Sequence, residues 1–156
     1  MKKKKAIIKE LKESEKEPEK SEIQKCREHY ERRLEDCKIL LELEHIEDDA
    51  PTIYEKMRYD YGELNEYGLS MDFADFGDDT GDKFFRYQFS WGGPQEEIRI
   101  YSNGNIEFWY LDWGTGEHVD GTEFSEFIEY VTGLSINEIV EKVLHFENTS
   151  EEPKLW

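Results

Sequence analysis

The residues best suited to chemistry lie around a glycine-rich stretch near position 112. Asp112, His118 and Asp120 surround the segment Gly114–Gly116, and two acids with an imidazole can act as an acid/base group or hold a metal ion. The commoner role of an aspartate beside such glycines is structural, because its carboxylate accepts backbone hydrogen bonds in turns. We therefore expect Asp112 to stabilise the turn, and we expect no metal or other cofactor.

The acid-rich stretch 72–82 has the composition of a calcium loop. In an EF-hand loop, glycine stands at position six and a bidentate glutamate at position twelve. Placing Gly77 or Gly81 at the sixth position puts Lys83 or Tyr87 at the twelfth, which excludes an EF-hand. The sequence also lacks phosphate-binding glycine loops and the common metalloprotease and serine-hydrolase motifs. It therefore predicts a protein that is not an enzyme.

Two cysteines, Cys26 and Cys37, lie eleven residues apart in a segment with helical periodicity. Eleven residues of helix span roughly 16 Å, whereas a disulfide needs Cα atoms within about 7 Å of each other. Neither cysteine has a second cysteine at C-x-x-C spacing, so the sequence does not support a zinc site. We interpret both as small apolar residues of a packed helix face.

Charge is distributed unevenly over the 156 residues, whose formal net charge is −18. Residues 1–41 carry 13 bases and 10 acids, residues 42–82 carry 2 and 14, and residues 83–156 carry 5 and 14. This excess of acids disfavours direct binding to nucleic acid or to an anionic membrane and favours a basic protein partner. Because the sequence has neither a membrane-spanning apolar run nor a secretion signal, we expect a cytoplasmic protein.

The acidic block 42–82 is also rich in tyrosine, and we predict a partner-binding surface there. Carboxylates on a fixed scaffold reproduce the charge of a phosphate backbone, and tyrosine adds contact area at low entropic cost. The predicted surface comprises Asp48, Asp49, Tyr59, Asp60, Tyr61, Glu63, Glu66, Tyr67, Asp72, Asp75, Asp78, Asp79 and Asp82. The alternative is that these acids serve only solubility.

Residues 1–47 have the composition of a helical arm, rich in lysine and glutamate. Spacings of three and four along one stripe relate Ile23, Cys26, Tyr30, Leu34, Cys37 and Leu41. The stripe either packs on the rest of the chain or pairs with a second copy as a coiled coil, which allows a homodimer through residues 21–46. Shorter helices are predicted over 2–16 and 51–61.

From Gly68 onward the apolar residues alternate, as they do in half-buried strands. Alternation predicts strands over 69–74 and 85–91, and Ile98–Ser102 and Asn105–Trp113 flank the hairpin signal Asn103-Gly104. A two-residue turn at that signal fixes the pairing of the hairpin. It opposes Ile98 to Trp109 and places Ile98, Ile100, Trp109, Leu111 and Trp113 on the core face.

Helical periodicity returns after Gly121, with Gly133 as a stop and Ser135 opening a capping box. We expect an α+β fold, in which a four-stranded antiparallel meander carries helices on one face. This domain spans residues 48–147. It follows the helical arm 1–47 and precedes a tail over 148–156.

The strand-and-loop segment 85–116 contains a distinctive pair of motifs. Trp91, Gly92 and Gly93 lie in the sequence Ser-Trp-Gly-Gly-Pro, and an aromatic strand ends in Asp112-Trp113, which two residues separate from Gly116. This pattern resembles one in short acidic proteins of uncharacterised function from phages, plasmids and other mobile elements of bacteria. The resemblance implies a mobile-element origin and the α+β meander, and it supplies no catalytic residue.

The match is incomplete at the second motif. Gly114 stands where that pattern usually has an aromatic residue, which implies a loop of different shape. The alternative to a functional role for the motifs is that Trp91 and Trp113 are core residues and that Gly92-Gly93 allow unusual backbone angles.

Charge and resemblance together predict a non-enzymatic inhibitor of the anti-CRISPR or anti-restriction type. It would bind a CRISPR effector or restriction-type nuclease and block the nucleic-acid site of that enzyme. An immunity protein against a nuclease toxin would use the same electrostatics. The remaining alternatives are a small ligand- or metal-binding domain built on the loops at Gly92–Gly93 and Asp112–His118, and a protein that oligomerises through residues 21–46.

Overall fold

The computed structural model describes residues 20–45, 68–75, 82–90 and 94–156. Their elements are helix α1 (Glu22–His45), strands β1 (Ser70–Asp75), β2 (Lys83–Ser90), β3 (Gln95–Tyr101), β4 (Ile106–Asp112) and β5 (Thr115–Asp120), a 3-10 turn (Thr122–Phe124), and helices α2 (Ser125–Thr132) and α3 (Ile136–Thr149). The strands form one antiparallel sheet in chain order. The α+β class and the antiparallel meander are thus confirmed, with five strands instead of four.

The described helices pack on one face of the sheet. In α1, the Tyr30 ring meets the rings of Phe108 in β4 and Phe124 in the 3-10 turn, with centroids 5.8 and 5.6 Å away. In α2, Phe127 meets Tyr87 of β2 at 5.3 Å. The core between the layers includes Cys26, Leu34, Cys37, Leu40, Leu41, Phe73, Phe85, Tyr87, Phe89, Ile98, Ile100, Ile106, Phe108, Tyr110, Phe124, Phe127, Ile128, Ile139, Val143 and Phe146.

Helix α1 is part of this core. Of the two alternatives for its apolar stripe, the structure has the stripe packed on the sheet of the same chain. Both cysteines are free and buried, as expected for small apolar residues of that face. The Cys26 thiol lies 3.6 Å from the carbonyl oxygen of Glu117 in β5. Among the described residues, no helix is long and apolar enough to cross a membrane.

The hairpin between β3 and β4 has a three-residue loop instead of the predicted two-residue turn. The Tyr101 N–H donates to the Asn105 carbonyl, and the Gly104 N–H donates to the Tyr101 carbonyl, both at 3.0 Å. Gly104 has a φ of +86°, which glycine adopts at little cost. This is the arrangement in which a turn is followed by a left-handed glycine.

The loop shifts the strand register by one residue, and the predicted core face is therefore wrong. Ile98 pairs with Phe108, not with Trp109. A shift of one residue turns every side chain of a strand to the opposite face. The core face consequently carries Ile98, Ile100, Ile106, Phe108 and Tyr110, while Trp109 and Leu111 lie on the other face.

Strand β5 was not predicted. Its sequence, Thr-Gly-Glu-His-Val-Asp, has Val119 as its one apolar side chain, so it carries no alternating pattern. Its pairing with β4 begins where Thr115 opposes Asp112, next to the turn, and ends where Asp120 opposes Glu107. The predicted turn over Gly114–Gly116 is therefore shorter and lies at Trp113-Gly114.

The predicted signals near the carboxyl end of the chain are confirmed. Gly133 ends α2 with a φ of +69°, and Ser135 and Glu138 form the capping box of α3. Helix α3 reaches Thr149, two residues into the predicted tail. Beyond it, the Trp156 indole donates to the Thr132 carbonyl at 2.6 Å. The predicted helices 2–16 and 51–61 lie outside the described residues.

Candidate interaction surfaces

Most of the predicted partner-binding surface lies outside the described residues. The structure does not describe Asp48, Asp49, Tyr59, Asp60, Tyr61, Glu63, Glu66, Tyr67, Asp78 and Asp79, nor the motif residues Trp91, Gly92 and Gly93. Three acids of the surface are described. Asp75 is the last residue of β1 and Asp82 directly precedes β2, and both are exposed, while Asp72 lies within β1.

Asp72 is paired with a cation of the neighbouring strand. It opposes Arg86 across β1 and β2, and the guanidinium donates to both carboxylate oxygens at 2.9 and 2.7 Å. This bond raises the pKa of Arg86. A bidentate pair of this kind is among the stronger hydrogen-bonded contacts. Asp72 therefore offers a partner less charge than its sequence suggests.

A second arginine is used inside the fold. Glu96, whose side chain is 3% exposed, accepts hydrogen bonds from Arg33 of α1 at 2.7 and 3.2 Å. The Glu96 carboxylate also lies 2.9 Å from His29 Nδ1 and 3.2 Å from the Ser90 hydroxyl. Burial acts to raise the pKa of Glu96, but the bonds and charges of Arg33 and His29 outweigh it, so the pKa is lowered. The network joins α1 to β2 and β3.

A third arginine is buried on the sheet face opposite the helices. Arg99 Nε donates to the fully buried carboxylate of Glu97 at 2.7 Å. The guanidinium lies over two aromatic rings, 4.6 Å from the centroid of Phe84 and 4.1 Å from that of Trp109. Trp109 in turn stacks on His118, with ring centroids 4.5 Å apart. Three of the described arginines thus neutralise internal or cross-strand acids.

The surface acids near the carboxyl end have few cations around them. Residues 122–156 carry eight acidic side chains, all of them exposed, and two lysines. The ammonium of Lys142 donates to the Lys154 carbonyl at 2.8 Å. Charge therefore accumulates on the outer surface of α2 and α3, outside the partner-binding surface predicted from the sequence.

One group of these acids adjoins an exposed tyrosine. Glu126, Glu129 and Tyr130 follow one another on the solvent face of α2, and the Tyr130 hydroxyl donates to Glu44 of α1 at 3.3 Å. We call these four residues the helical acidic face. It combines the residue types predicted for the block 42–82, although three of its four residues lie outside that block. Acids spaced by three residues and followed by tyrosine were the signal that could have identified it.

The β4–β5 hairpin exposes the second motif. Trp113 is 95% exposed, so the alternative that it is a core residue is wrong. It forms the turn with Gly114, and both residues have positive φ, at 46° and 84°. The Thr115 hydroxyl donates to the Asp112 carbonyl at 2.7 Å. No described group donates to the Asp112 carboxylate, contrary to the role expected for it in the turn.

The pairing of β5 with β4 places Asp112 and His118, two residues of the suggested acid/base cluster, on opposite faces of the sheet. Asp112 alternates with Tyr110 and so lies on the helix side, whereas His118 opposes Trp109 on the other face. His118 Nε2 lies 3.4 Å from Glu107 instead. Within the described part of the chain, no group of three or more histidine, cysteine or acidic residues is arranged to hold a metal ion.

Two clefts open beside β5. The larger one, of about 490 Å³, lies at the hairpin tip and is lined by Gln95, Leu111, Asp112, Trp113, Gly114, Thr115 and Gly116. The other, of about 400 Å³, lies between α1 and β5 and is lined by Ile23, Arg27, Tyr30, Glu31, His118, Val119 and Asp120. A β-carbon on Gly116 would lie 2.8 Å from a Leu111 methyl, so this glycine keeps space open beside the first cleft.

The function is inferred from the geometry and charge of these residues. No family model, curated protein or solved structure matches the chain.

Proposed function

We propose that this chain is a non-enzymatic inhibitor that binds a basic nucleic-acid-processing enzyme and occupies the site where the enzyme holds DNA or RNA. The observation that supports it best is the excess of exposed carboxylates over available cations. Arg33, Arg86 and Arg99 are paired with acids of the fold, while all eight acids of residues 122–156 are exposed.

The helical acidic face is suited to such a role. Residues three or four apart on a helix have β-carbons about 5–6 Å apart, so Glu126 and Glu129 present two charges at a fixed separation. The helix beneath them is held by Phe127 and Ile128, which are buried in the core. A nucleic-acid groove uses lysine and arginine to neutralise phosphates, and carboxylates on a rigid scaffold satisfy the same cations.

The enzyme class follows from the same electrostatics. A CRISPR effector or a restriction-type nuclease has an extended basic channel that these acids can enter. An immunity protein against a nuclease toxin would bind by similar physics, and the identity of the inhibited enzyme separates the two. A panel of purified nucleases of each kind, assayed for cleavage with and without the protein, is therefore the direct test.

The variants for this panel compare two sets of three neutralised acids. The test variant combines Glu44→Gln, Glu126→Gln and Glu129→Gln on the helical acidic face. The matched control combines Glu28→Gln, Glu31→Gln and Glu35→Gln on α1, where exposed acids alternate with exposed Arg27, Arg32 and Lys38. Both variants change the net charge equally, so a difference in inhibition between them shows that the position of the acids matters. A further variant converts Asp75, Asp78, Asp79 and Asp82 to Asn and tests the surface predicted from the sequence.

We expect inhibition of one nuclease class that weakens with added salt. The helical-face variant should require at least about tenfold more protein for half inhibition, and the α1 control less than about twofold more. Competing DNA should displace the protein. The proposal is wrong if no nuclease in the panel is inhibited, or if neither the helical-face variant nor the aspartate variant loses inhibition.

A further inference from the structure

The turn between β4 and β5 holds its tryptophan in a costly arrangement. Trp113 and Gly114 are the two central residues of the turn, and positive φ at both is the geometry that asparagine and glycine favour. A bulky side chain with positive φ is an outlier that the rest of the structure must support. The indole gains nothing in return from the fold, because Trp113 is 95% exposed.

The residue before it is an acid that pairs with no cation among the described residues. Asp112 is partly buried, and no described side chain forms an ion pair or a hydrogen bond with its carboxylate. Lys25 of α1 is close enough to feel the charge of Asp112, but its ammonium pairs with Glu22 at 3.2 Å. A partly desolvated carboxylate gains more from an added cation than a fully solvated one does.

Asp112 and Trp113 both line one cleft at the tip of the β4–β5 hairpin. This cleft, of about 490 Å³, also includes Leu111, Thr115 and Gly116. Its lining thus includes an acid next to a tryptophan that is 95% exposed. The chemistry complementary to these walls is a planar cation that can stack on the indole and donate to the carboxylate.

We propose that the cleft between Asp112 and Trp113 binds an arginine side chain of the protein partner. The inference rests on the proposed function, since it names a contact with the basic enzyme. Arginine fits better than lysine because its guanidinium is planar, stacks on aromatic faces and donates in a fork. The acidic surroundings oppose a phosphate or a nucleic acid at this position.

The probes are short peptides that contain one central residue flanked by glycines, with both ends blocked. That residue is arginine, lysine or citrulline, the last being a neutral analogue of arginine. The full-length protein is labelled with ¹⁵N in its indole groups, and its four tryptophans each give one signal. The Trp113→Asn variant assigns the signal of Trp113 and keeps a residue that this turn accepts. Circular dichroism confirms that each variant is folded.

We expect the arginine peptide to shift the Trp113 signal to saturation, and the citrulline peptide to leave it in place. The lysine peptide should bind about threefold or more weakly than the arginine peptide. Asp112→Asn should weaken arginine binding about fivefold, and Trp113→Asn should abolish it. Trp156 is also exposed and lies elsewhere on the chain, so Trp156→Phe is the matched control and should bind normally.

The same variants separate this inference from the proposed function. In the nuclease panel, Trp113→Asn should weaken inhibition about tenfold, while the helical-face variant should bind the arginine peptide normally. Peptide binding without inhibition of any nuclease would keep the arginine site and overturn the function. Equal shifts with arginine and citrulline, or saturable arginine binding by the Trp113→Asn variant, would overturn the arginine site itself.

Discussion

Replacing Glu96 by glutamine tests the polar network that joins α1 to the sheet. The change keeps the shape of the side chain and removes its charge, although the side chain is 3% exposed and three residues bond to it. Arg33, itself 16% exposed, then loses the carboxylate with which it pairs across the contact between α1 and the sheet. Breaking a buried pair by removing one partner costs about 3–5 kcal/mol.

We expect Glu96→Gln to fall at the lower end of that range, because glutamine still accepts one bond from Arg33. About 3 kcal/mol corresponds to a fall in Tm of about 6–12 °C for a chain of this size. Urea unfolding and thermal melting, both followed by circular dichroism at pH 7, measure it. The control is Glu126→Gln, an equal change in charge at an exposed site, which should alter the free energy of unfolding by less than about 0.5 kcal/mol.

The pH dependence of the same variant has a defined sign. Because folding lowers the pKa of Glu96, its contribution is complete above the unfolded pKa and is lost as the pH falls through the folded one. The difference in stability between wild type and Glu96→Gln should therefore shrink as the pH drops below about 4.5, the ordinary value. A variant that melts with the wild type at pH 7, or a difference that grows in acid, would refute this account of the network.

Two further predictions concern buried groups. Burial raises the pKa of Cys26 to about 11 and raises that of Cys37 further. At pH 8 both thiols should react with a disulfide reagent at least about a hundredfold more slowly in the native protein than in urea, and rapid native labelling would contradict the buried stripe. A β-carbon on Gly121 would lie 2.9 Å from the Phe108 backbone nitrogen. Gly121→Ala should cost about 2 kcal/mol in urea unfolding, and Glu123→Ala, the exposed control, should cost little; equal costs would contradict the steric argument.

The sequence predicted those elements whose signals are local. Alternating apolar residues located four strands, and the Ser135 capping box located the start of α3. The hairpin register was wrong because Asn103-Gly104 fits two loop lengths, and the choice depends on the left-handed conformation of Gly104. Strand β5 was missed because backbone pairing with β4, and not apolar alternation, holds it.

The candidate sites could be predicted only in part. Glu96 and Glu97 precede the strand predicted from Ile98, yet both are buried in β3. They are neutralised by Arg33 of α1 and by Arg99, and the first of these contacts joins residues 63 positions apart. The exposure of Trp113 likewise depends on the register of β4 and on the existence of β5. The net charge could be read from the sequence, but the fold decides which acid pairs with which arginine.

The packing of α1 on the last strand has a consequence for synthesis of the chain. Cys26 lies against the carbonyl of Glu117, a separation of 91 residues. At about 5–20 residues per second, a ribosome makes the intervening chain in about 5–18 s. During that interval the apolar stripe of α1 has no complete sheet to cover it. Helix α1, which is made before every described strand, therefore completes its docking only after β5 is made, and the contact that covers the Cys26 thiol forms late.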